Sequence, residues 1–90
     1  MFIYRITNKK NGKQYIGQTN NPQRRKSQHV HEAITRGRKD KLHTAIREEG
    51  RENFEYEILG EFTDNIINQV ERDFIKFFNT IETGYNSKKG

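Results

Sequence analysis

Residues 2–19 read FIYRITNKKNGKQYIGQT, which is the pattern of two β-strands joined by a tight turn. Residues 2–7 alternate aromatic or β-branched side chains with others, as strands do. Asn11 and Gly12 follow, and this pair favours a hairpin turn because both residues tolerate a positive φ angle. Residues 14–18 are therefore predicted to return antiparallel to the first strand.

Two helices are predicted after the hairpin. The first covers residues 22–34 and begins after small polar residues that can cap it. The second is short, is capped by Asp40 and ends at Gly50. Both carry narrow apolar sides at helical spacing, so each is expected to bury one face.

A third strand and a longer helix complete the pattern. Residues 54–62 alternate apolar side chains with glutamates, which predicts a strand with one buried face. Residues 64–79, capped by Thr63 or Asp64, carry apolar side chains at helical spacing, and a solvated tail is expected over 87–90. The order β-β-α-α-β-α predicts a small α+β fold. Its three-stranded antiparallel sheet is flanked by about three helices, since so small a sheet needs helices against it.

The basic residues are concentrated in the first half of the 90-residue chain. Residues 1–51 carry thirteen Lys or Arg and four Asp or Glu, whereas residues 52–86 carry two and eight. Such a positive field attracts polyanions, and nucleic acid is the leading candidate partner. The alternative is that these charges only keep a thin-cored domain in solution.

Composition also excludes several classes of protein. The chain contains no Cys, which rules out disulfide bonds and thiolate metal sites. No apolar run approaches the roughly 20 residues that span a bilayer, and the start of the chain lacks the apolar stretch of a signal peptide. We therefore expect a single domain over 1–90, located in the cytoplasm, with no membrane partner.

One acidic residue does not fit the pattern of the last helix. At about 100° per residue, Glu71 falls inside the apolar arc, between Phe78 and Ile75. An unpaired carboxylate there is costly, so it must be paired, protonated or metal-bound. Mg²⁺ often takes only one or two protein carboxylates and completes its shell with water and phosphate oxygens. Alternatively, Glu71 lies at the margin of the arc and reaches water or an Arg.

The first helix carries a second candidate group. Arg25 and His29 are four residues apart, so they lie on one face of the helix. An Arg can bind a phosphate with two hydrogen bonds, and a His can donate to it or move a proton. The alternative is an exposed basic helix without a special role. His31 and His43 are predicted to be surface residues, and the sequence contains no His-x₃-His or clustered His/Asp arrangement of the kind that holds zinc.

The hairpin carries the remaining candidates. Tyr4 and Tyr15 lie on its two strands, where paired tyrosines often serve only for packing. Gly17 follows near a strand end and allows another backbone to approach closely because it has no Cβ atom.

Together these features resemble the GIY-YIG nuclease superfamily, and most closely the catalytic domains of phage and intron-encoded homing endonucleases. Five elements of the family pattern occur in order over residues 2–86: Ile3-Tyr4, Tyr15-Ile16-Gly17, Arg25 with His29, Glu71, and Gly84-Tyr85-Asn86. Phe2 departs from the pattern, since it stands where the first motif normally has Gly.

The resemblance implies a divalent-metal-dependent endonuclease that hydrolyses phosphodiester bonds of double-stranded DNA, with one Mg²⁺ or Mn²⁺ as cofactor. It implies the catalytic set Tyr4, Tyr15, Arg25, His29 and Glu71, supported by Gly17 and Asn86. In this scheme Glu71 holds the metal ion, Arg25 neutralises charge on the phosphate, and Tyr4 orients or deprotonates the attacking water. Tyr15 and His29 hydrogen-bond the phosphate or the water, and Asn86 positions Tyr4 or Glu71.

Six basic residues are expected to contact nucleic acid: Lys13, Arg24, Lys26, Arg36, Arg38 and Lys39. A function from another class is a nucleic-acid-binding module that keeps the fold without cleaving. Homing enzymes of this family continue into a linker and a separate DNA-binding domain. The sequence therefore leaves open whether this chain is a fragment of a longer protein, and it leaves the oligomeric state open as well.

Overall fold

The computed structural model describes residues 1–87. Its elements follow in the order β1 (Phe2–Asn8), β2 (Gln14–Thr19), α1 (Pro22–Ile34), α2 (Lys41–Glu49), a 3₁₀ turn (Arg51–Asn53), β3 (Phe54–Glu61), α3 (Ile67–Phe78) and α4 (Thr80–Thr83). The three strands form one antiparallel sheet in the order β2-β1-β3. The predicted α+β fold is confirmed. The tail predicted over 87–90 lies, from residue 88 onward, outside the described residues.

The hairpin of β1 and β2 forms as predicted, although only one of its two turn residues adopts the unusual backbone conformation. Gly12 has a φ of 77°, in the left-handed region that favours glycine. Asn11 contributes through its side chain instead, which accepts a hydrogen bond of 2.9 Å from the backbone N–H of Lys13. The resulting register places Tyr4 directly opposite Gly17.

The sheet buries both of its faces because side chains alternate along each strand. On one side, called here the α1/α2 side, Tyr4 and Ile6 pack with Leu42 and Ile46. On the other, called the α3 side, Ile3 and Ile16 pack with Ile67 and with partly buried aromatic residues. The two cores are thus separated by a single sheet. None of the helices within residues 1–87 has the length and apolar character required to cross a bilayer.

The helix predicted over 64–79 begins three residues later than expected. Ile66 is its N-cap, without a side-chain hydrogen bond. The two predicted caps have other partners: Thr63 donates to the side chain of Asn65, and the Asp64 carboxylate lies 3.7 Å from the amino-terminal nitrogen of Met1. The predicted caps are therefore wrong because both side chains are engaged away from the helix backbone.

The chain after α3 closes the fold against the edge of the sheet. Asn79 ends α3 with a left-handed φ of 55°, and the short α4, which was not predicted, follows. Gly84 then passes so close to β2 that a Cβ atom on it would lie 2.2 Å from the carbonyl oxygen of Gln14. The Asn86 side chain accepts from the N–H of Ile16 at 2.8 Å and donates to its carbonyl at 2.9 Å. It thereby satisfies backbone groups on the outer edge of β2.

Candidate active site

Tyr4 lies on the α1/α2 side, opposite Gly17. It is 5% exposed, and its hydroxyl oxygen lies 2.7 Å from Nε2 of His29 on α1. A Cβ atom at position 17 would lie 2.4 Å from that hydroxyl, which is shorter than real contacts allow. Gly17 is therefore required by the position of the Tyr4 ring. The predicted close approach of another backbone at Gly17 is wrong, because the Tyr4 side chain occupies that space.

His29 is fully buried and connects Tyr4 to a second imidazole. Its Nδ1 lies 3.0 Å from Nε2 of His43 on α2, and Nδ1 of His43 lies 2.8 and 2.7 Å from the two carboxylate oxygens of Asp40. The prediction that His43 is a surface residue is wrong, since it is 3% exposed, whereas His31 is exposed as predicted.

A sequence signal for His43 was available. His43 lies three residues after the helix cap Asp40 and three residues before the buried Ile46. Residues three apart share a helix face, so this spacing places an imidazole between a carboxylate and the core. This spacing does not identify the hydrogen-bond partner of His43 in the core, because His29 lies on another helix.

His29, Glu32 and His43 also form a group of potential metal ligands. One ligand atom from each lies within 4.8 Å of the others. No metal-binding spacing in the sequence indicates this group, because His43 comes from a different helix from His29 and Glu32. Both ring nitrogens of both histidines already take part in hydrogen bonds, so an ion bound here would disrupt them.

Tyr15, Arg25 and Glu71 line one open cleft with a volume of about 520 Å³. Tyr15 on β2 and Arg25 on α1 belong to the α1/α2 side, whereas Glu71 projects from α3 on the opposite side. They meet because β2 is an edge strand, and its free edge is open to both sides of the sheet. Tyr4 lies close to this cleft, with its ring centre 6.1 Å from that of Tyr15.

Glu71 is half-buried, as its place in the apolar arc predicts. One carboxylate oxygen accepts a hydrogen bond of 2.7 Å from the side-chain amide of Gln18. Within residues 1–87, no Lys, Arg or His nitrogen lies within 4.0 Å of this carboxylate. The apolar arc itself is not buried throughout, because Ile66 is 45% and Phe77 79% exposed.

Arg25 lies at the mouth of the cleft with its side chain 27% exposed. Its guanidinium makes two long contacts along α1, at 3.4 Å to the amide oxygen of Gln28 and at 3.8 Å to the carboxylate of Glu32. Contacts of this length leave its donors available to an anion in the cleft.

Burial and the charge of Arg25 set the protonation of these groups. Burial raises the pKa of Tyr4 well above its ordinary value; Tyr15 adds to this shift and Arg25 opposes it. Burial also raises the pKa of Tyr15, again against the effect of Arg25. Burial, together with the positive charge of Arg25, lowers the pKa of His29 to about 3. At neutral pH both phenols therefore keep their protons and His29 is uncharged.

All six residues predicted to contact nucleic acid are exposed: Lys13, Arg24, Lys26, Arg36, Arg38 and Lys39. Arg38 lines the cleft that holds Arg25 and Glu71. Lys13 and Lys39 line a second depression, and the Lys26 ammonium lies 5.0 Å from the ring centre of Tyr56, beside a third. The basic residues are therefore spread over several surfaces.

Two residues of the family pattern differ from expectation in detail. The Asn86 side chain bonds to the backbone of Ile16, between Tyr15 and Gly17, rather than to Tyr4 or Glu71. Phe2, where the pattern has Gly, is half-buried at the end of β1 and pairs with both neighbouring strands, with a shift of the β1–β3 register following between Ile3 and Tyr4.

Comparisons with known proteins agree with the fold. The family model for the GIY-YIG catalytic domain matches residues 1–86. The solved structure of the catalytic domain of homing endonuclease I-TevI is 28% identical, with a TM-score of 0.84 over 97% of each chain. A glutamate-to-alanine mutant of the catalytic domain of intron endonuclease I-TevI is 26% identical, with a TM-score of 0.86 over 100% of this chain and 97% of that one. No curated protein sequence matches the chain significantly.

Two tyrosines, an arginine and a half-buried glutamate thus lie around the free edge of β2. The fold and the motifs of the chain match one family over residues 1–86. The chain belongs to the GIY-YIG nuclease family, and its structural neighbours are homing-endonuclease catalytic domains.

Proposed function

We propose that this domain is a divalent-metal-dependent endonuclease that hydrolyses phosphodiester bonds of double-stranded DNA. The observation that carries the proposal is the half-buried Glu71 carboxylate, which has no cationic partner within residues 1–87 and lines the same cleft as Tyr15 and Arg25. A domain that only bound DNA would gain nothing from a negative charge in this position.

The donor set around Glu71 fits a hard divalent cation. A single carboxylate oxygen donor in an open, polar cleft leaves most of the coordination shell to water and phosphate, as Mg²⁺ prefers. Glu71 would hold the ion, and Gln18 fixes the orientation of the carboxylate through its 2.7 Å hydrogen bond. When bound, such an ion acts as a Lewis acid toward the phosphate and the leaving oxygen.

The remaining residues act on the phosphate and the water. Arg25 binds the non-bridging phosphate oxygens and stabilises the charge that develops on them. Tyr15, half-buried on the wall of the cleft, orients the phosphate or the water by hydrogen bonding. Tyr4 hydrogen-bonds the attacking water, but its raised pKa means that it needs a proton acceptor before it can act as a base.

The basic first half of the chain provides the attraction to DNA. Exposed Lys and Arg contact the phosphate backbone, which contributes affinity without sequence information. The isolated domain should therefore bind DNA weakly, with little sequence preference and with strong dependence on salt. Tight binding to one short sequence at physiological salt would contradict this expectation.

A plasmid-nicking assay with Mg²⁺ or Mn²⁺ tests the proposal. Glu71→Gln and Arg25→Ala should each slow nicking of supercoiled DNA by about 10²- to 10³-fold, and chelation of the metal should abolish it. Asp73→Asn is the matched control, because Asp73 lies exposed on the same helix and bonds only to Gln69 among the described side chains. If both variants nick as fast as wild type, the site assignment is wrong. If wild type binds DNA but nicks none in either metal, the domain is a binding module.

A further inference from the structure

Four side chains form a continuous hydrogen-bonded row from Tyr4 to Asp40. The contacts are 2.7 Å from the Tyr4 hydroxyl to Nε2 of His29, 3.0 Å from Nδ1 of His29 to Nε2 of His43, and 2.7 Å from Nδ1 of His43 to the carboxylate of Asp40. The first three members are at most 5% exposed. Both nitrogens of both imidazoles are used, and only the Asp40 end of the row is partly exposed to solvent.

The carboxylate at one end fixes the direction of every donor. Ionised Asp40 only accepts, so Nδ1 of His43 carries a hydrogen, and with one hydrogen on each imidazole His43 accepts at Nε2. His29 must then donate from Nδ1, which leaves its Nε2 as the acceptor of the Tyr4 hydroxyl hydrogen. A neutral imidazole with its Nε2 lone pair on a phenol is the arrangement that can remove a phenolic proton.

We infer that Asp40 and His43 are positioning residues that hold His29 in the tautomer able to accept the proton of Tyr4, so that Tyr4 can in turn deprotonate the attacking water. This inference rests on the proposed nuclease function. The Tyr4 proton moves to Nε2 of His29 as the Nδ1 proton of His29 moves to Nε2 of His43. The products are a Tyr4 phenolate, a neutral His29 and an imidazolium at His43 beside the Asp40 carboxylate. The phenolate then takes a proton from water, so the net change is one proton from water to His43.

A buried carboxylate oxygen of Glu32 lies next to the nitrogen that receives the proton at the end of this transfer. Oε1 of Glu32 is buried without a hydrogen-bond partner and lies 3.4 Å from Nε2 of His43, the nitrogen that gains the proton. Its charge is partly balanced by Arg38 at 3.5 Å and Arg25 at 3.8 Å. Protonation of His43 would give this oxygen a donor, so Glu32 and Asp40 together favour the proton on His43.

The surroundings of His29 disfavour a proton that remains there. Burial and the charge of Arg25 lower its pKa to about 3. Titratable or charged groups face the His29–His43 pair from every neighbouring element: Tyr4 on β1, Tyr15 on β2, Arg25 and Glu32 on α1, Arg38 after α1, and Asp40 before α2. The two carboxylates, of Asp40 and Glu32, both lie within 4.0 Å of ring nitrogens of His43, so a positive charge formed on the row is balanced there.

The competing interpretation of the same atoms is a metal site. A metal ion on His29, Glu32 and His43 would occupy a nitrogen of each histidine and would break the row. The two arrangements therefore exclude each other, and one experiment separates them.

The test uses Asp40→Asn, which retains a good N-cap for α2 but removes the charge. If the Asn oxygen keeps the backbone cap, its NH₂ group faces Nδ1 of His43, and both imidazoles must reverse their tautomers. Asp73→Asn again serves as the control. Nitrogen-15 NMR of the imidazoles reads the tautomers without DNA, and single-turnover nicking across pH 5 to about 9 reads the chemistry.

The inference predicts Nδ1–H tautomers for both histidines in wild type and reversal in Asp40→Asn. It also predicts that Asp40→Asn nicks DNA about 10²-fold more slowly than wild type. The acid limb of its pH–rate profile should move to lower pH, because the substitution removes the negative charge that favours the protonated row. A lower melting temperature with unchanged tautomers and an unmoved pH profile would overturn it. Stoichiometric binding of Zn²⁺ that shifts both imidazoles would also overturn it. If wild type nicks no DNA, the proposed function fails, and the NMR result alone decides whether the directed row exists.

Discussion

The two sides of the sheet bury different kinds of side chain. The α3 side is built from aliphatic and aromatic side chains around Ile3, Ile16 and Ile67. The α1/α2 side buries polar groups as well, among them His29, His43 and Asn8, each with hydrogen-bond partners. Buried polar groups contribute less net stability than apolar ones, so the apolar core on the α3 side should stabilise the fold. The chemistry should depend on the polar groups of the α1/α2 side together with Glu71, the one proposed catalytic residue that α3 contributes at the edge of β2. Substitutions on the two sides should therefore separate stability from activity.

The largest effect is expected from the loss of one hydroxyl on the α1/α2 side. Tyr4→Phe should slow nicking by about 10³-fold, while the free energy of unfolding falls by only about 1–2 kcal/mol, since His29 loses one partner. Tyr56→Phe is the matched control, because the Tyr56 hydroxyl is buried without a hydrogen-bond partner in the described chain. Single-turnover nicking and urea unfolding measure both quantities. Equal losses of activity in the two variants would contradict the assignment of Tyr4.

The opposite outcome is expected on the α3 side. Ile3 is fully buried, so Ile3→Ala should lower the free energy of unfolding by about 3 kcal/mol. Nicking per folded molecule should change little, because Ile3 does not line the cleft. Ile58→Ala, at a residue 48% exposed, should cost far less. Urea titration gives the stabilities, and a large loss of nicking in folded Ile3→Ala would show that the two sides are not separable.

Acid should lower the free energy of unfolding because the unfolded chain protonates His29 more readily than the folded domain does. Its pKa is lowered from 6.5 to about 3 in the folded protein, so between these values the unfolded chain binds a proton that the folded chain does not. Stability therefore falls as pH falls below 6.5, by about 1.4 kcal/mol per unit and about 2 kcal/mol by pH 5. Unfolding at pH 7 and pH 5 should show this loss in wild type and in His31→Gln, but a smaller one in His29→Gln. An equal loss of stability in all three proteins would mean that protonation of His29 does not cause the loss.

A smaller effect is expected at the edge where the two sides meet. Asn86→Ala removes two hydrogen bonds to the backbone of Ile16 and should destabilise the domain by about 1–2 kcal/mol. Hydrogen exchange at the Ile16 amide should accelerate in this variant and not in Asn65→Ala, a change at an exposed turn residue. Unchanged exchange at Ile16 would show that Asn86 does not protect the strand edge.

Local patterns predicted the parts of the molecule that depend on local chemistry. Alternation gave the strands, and the turn signal at Gly12 gave the hairpin. The position of Glu71 on its helix followed from the same periodicity, because a helix determines which side chains share a face.

Features that depend on distant partners were missed. The sequence pattern predicts His43 at the surface because its partner His29 lies on another helix, and helix spacing alone does not show how α1 packs on α2. The start of α3 was placed too early because Asp64 interacts with the amino terminus, a partner 63 residues away along the chain. The meeting of Arg25 and Glu71 depends on β2 being the edge strand, which the order of elements does not reveal.

The most direct test of this account is the anomalous diffraction of Mn²⁺ in crystals of the Tyr4→Phe variant with a DNA duplex. The account predicts one manganese peak at the Glu71 carboxylate, with a DNA phosphate between it and the Arg25 guanidinium. A peak among His29, Glu32 and His43, or a phosphate bound away from the cleft beside β2, would contradict it.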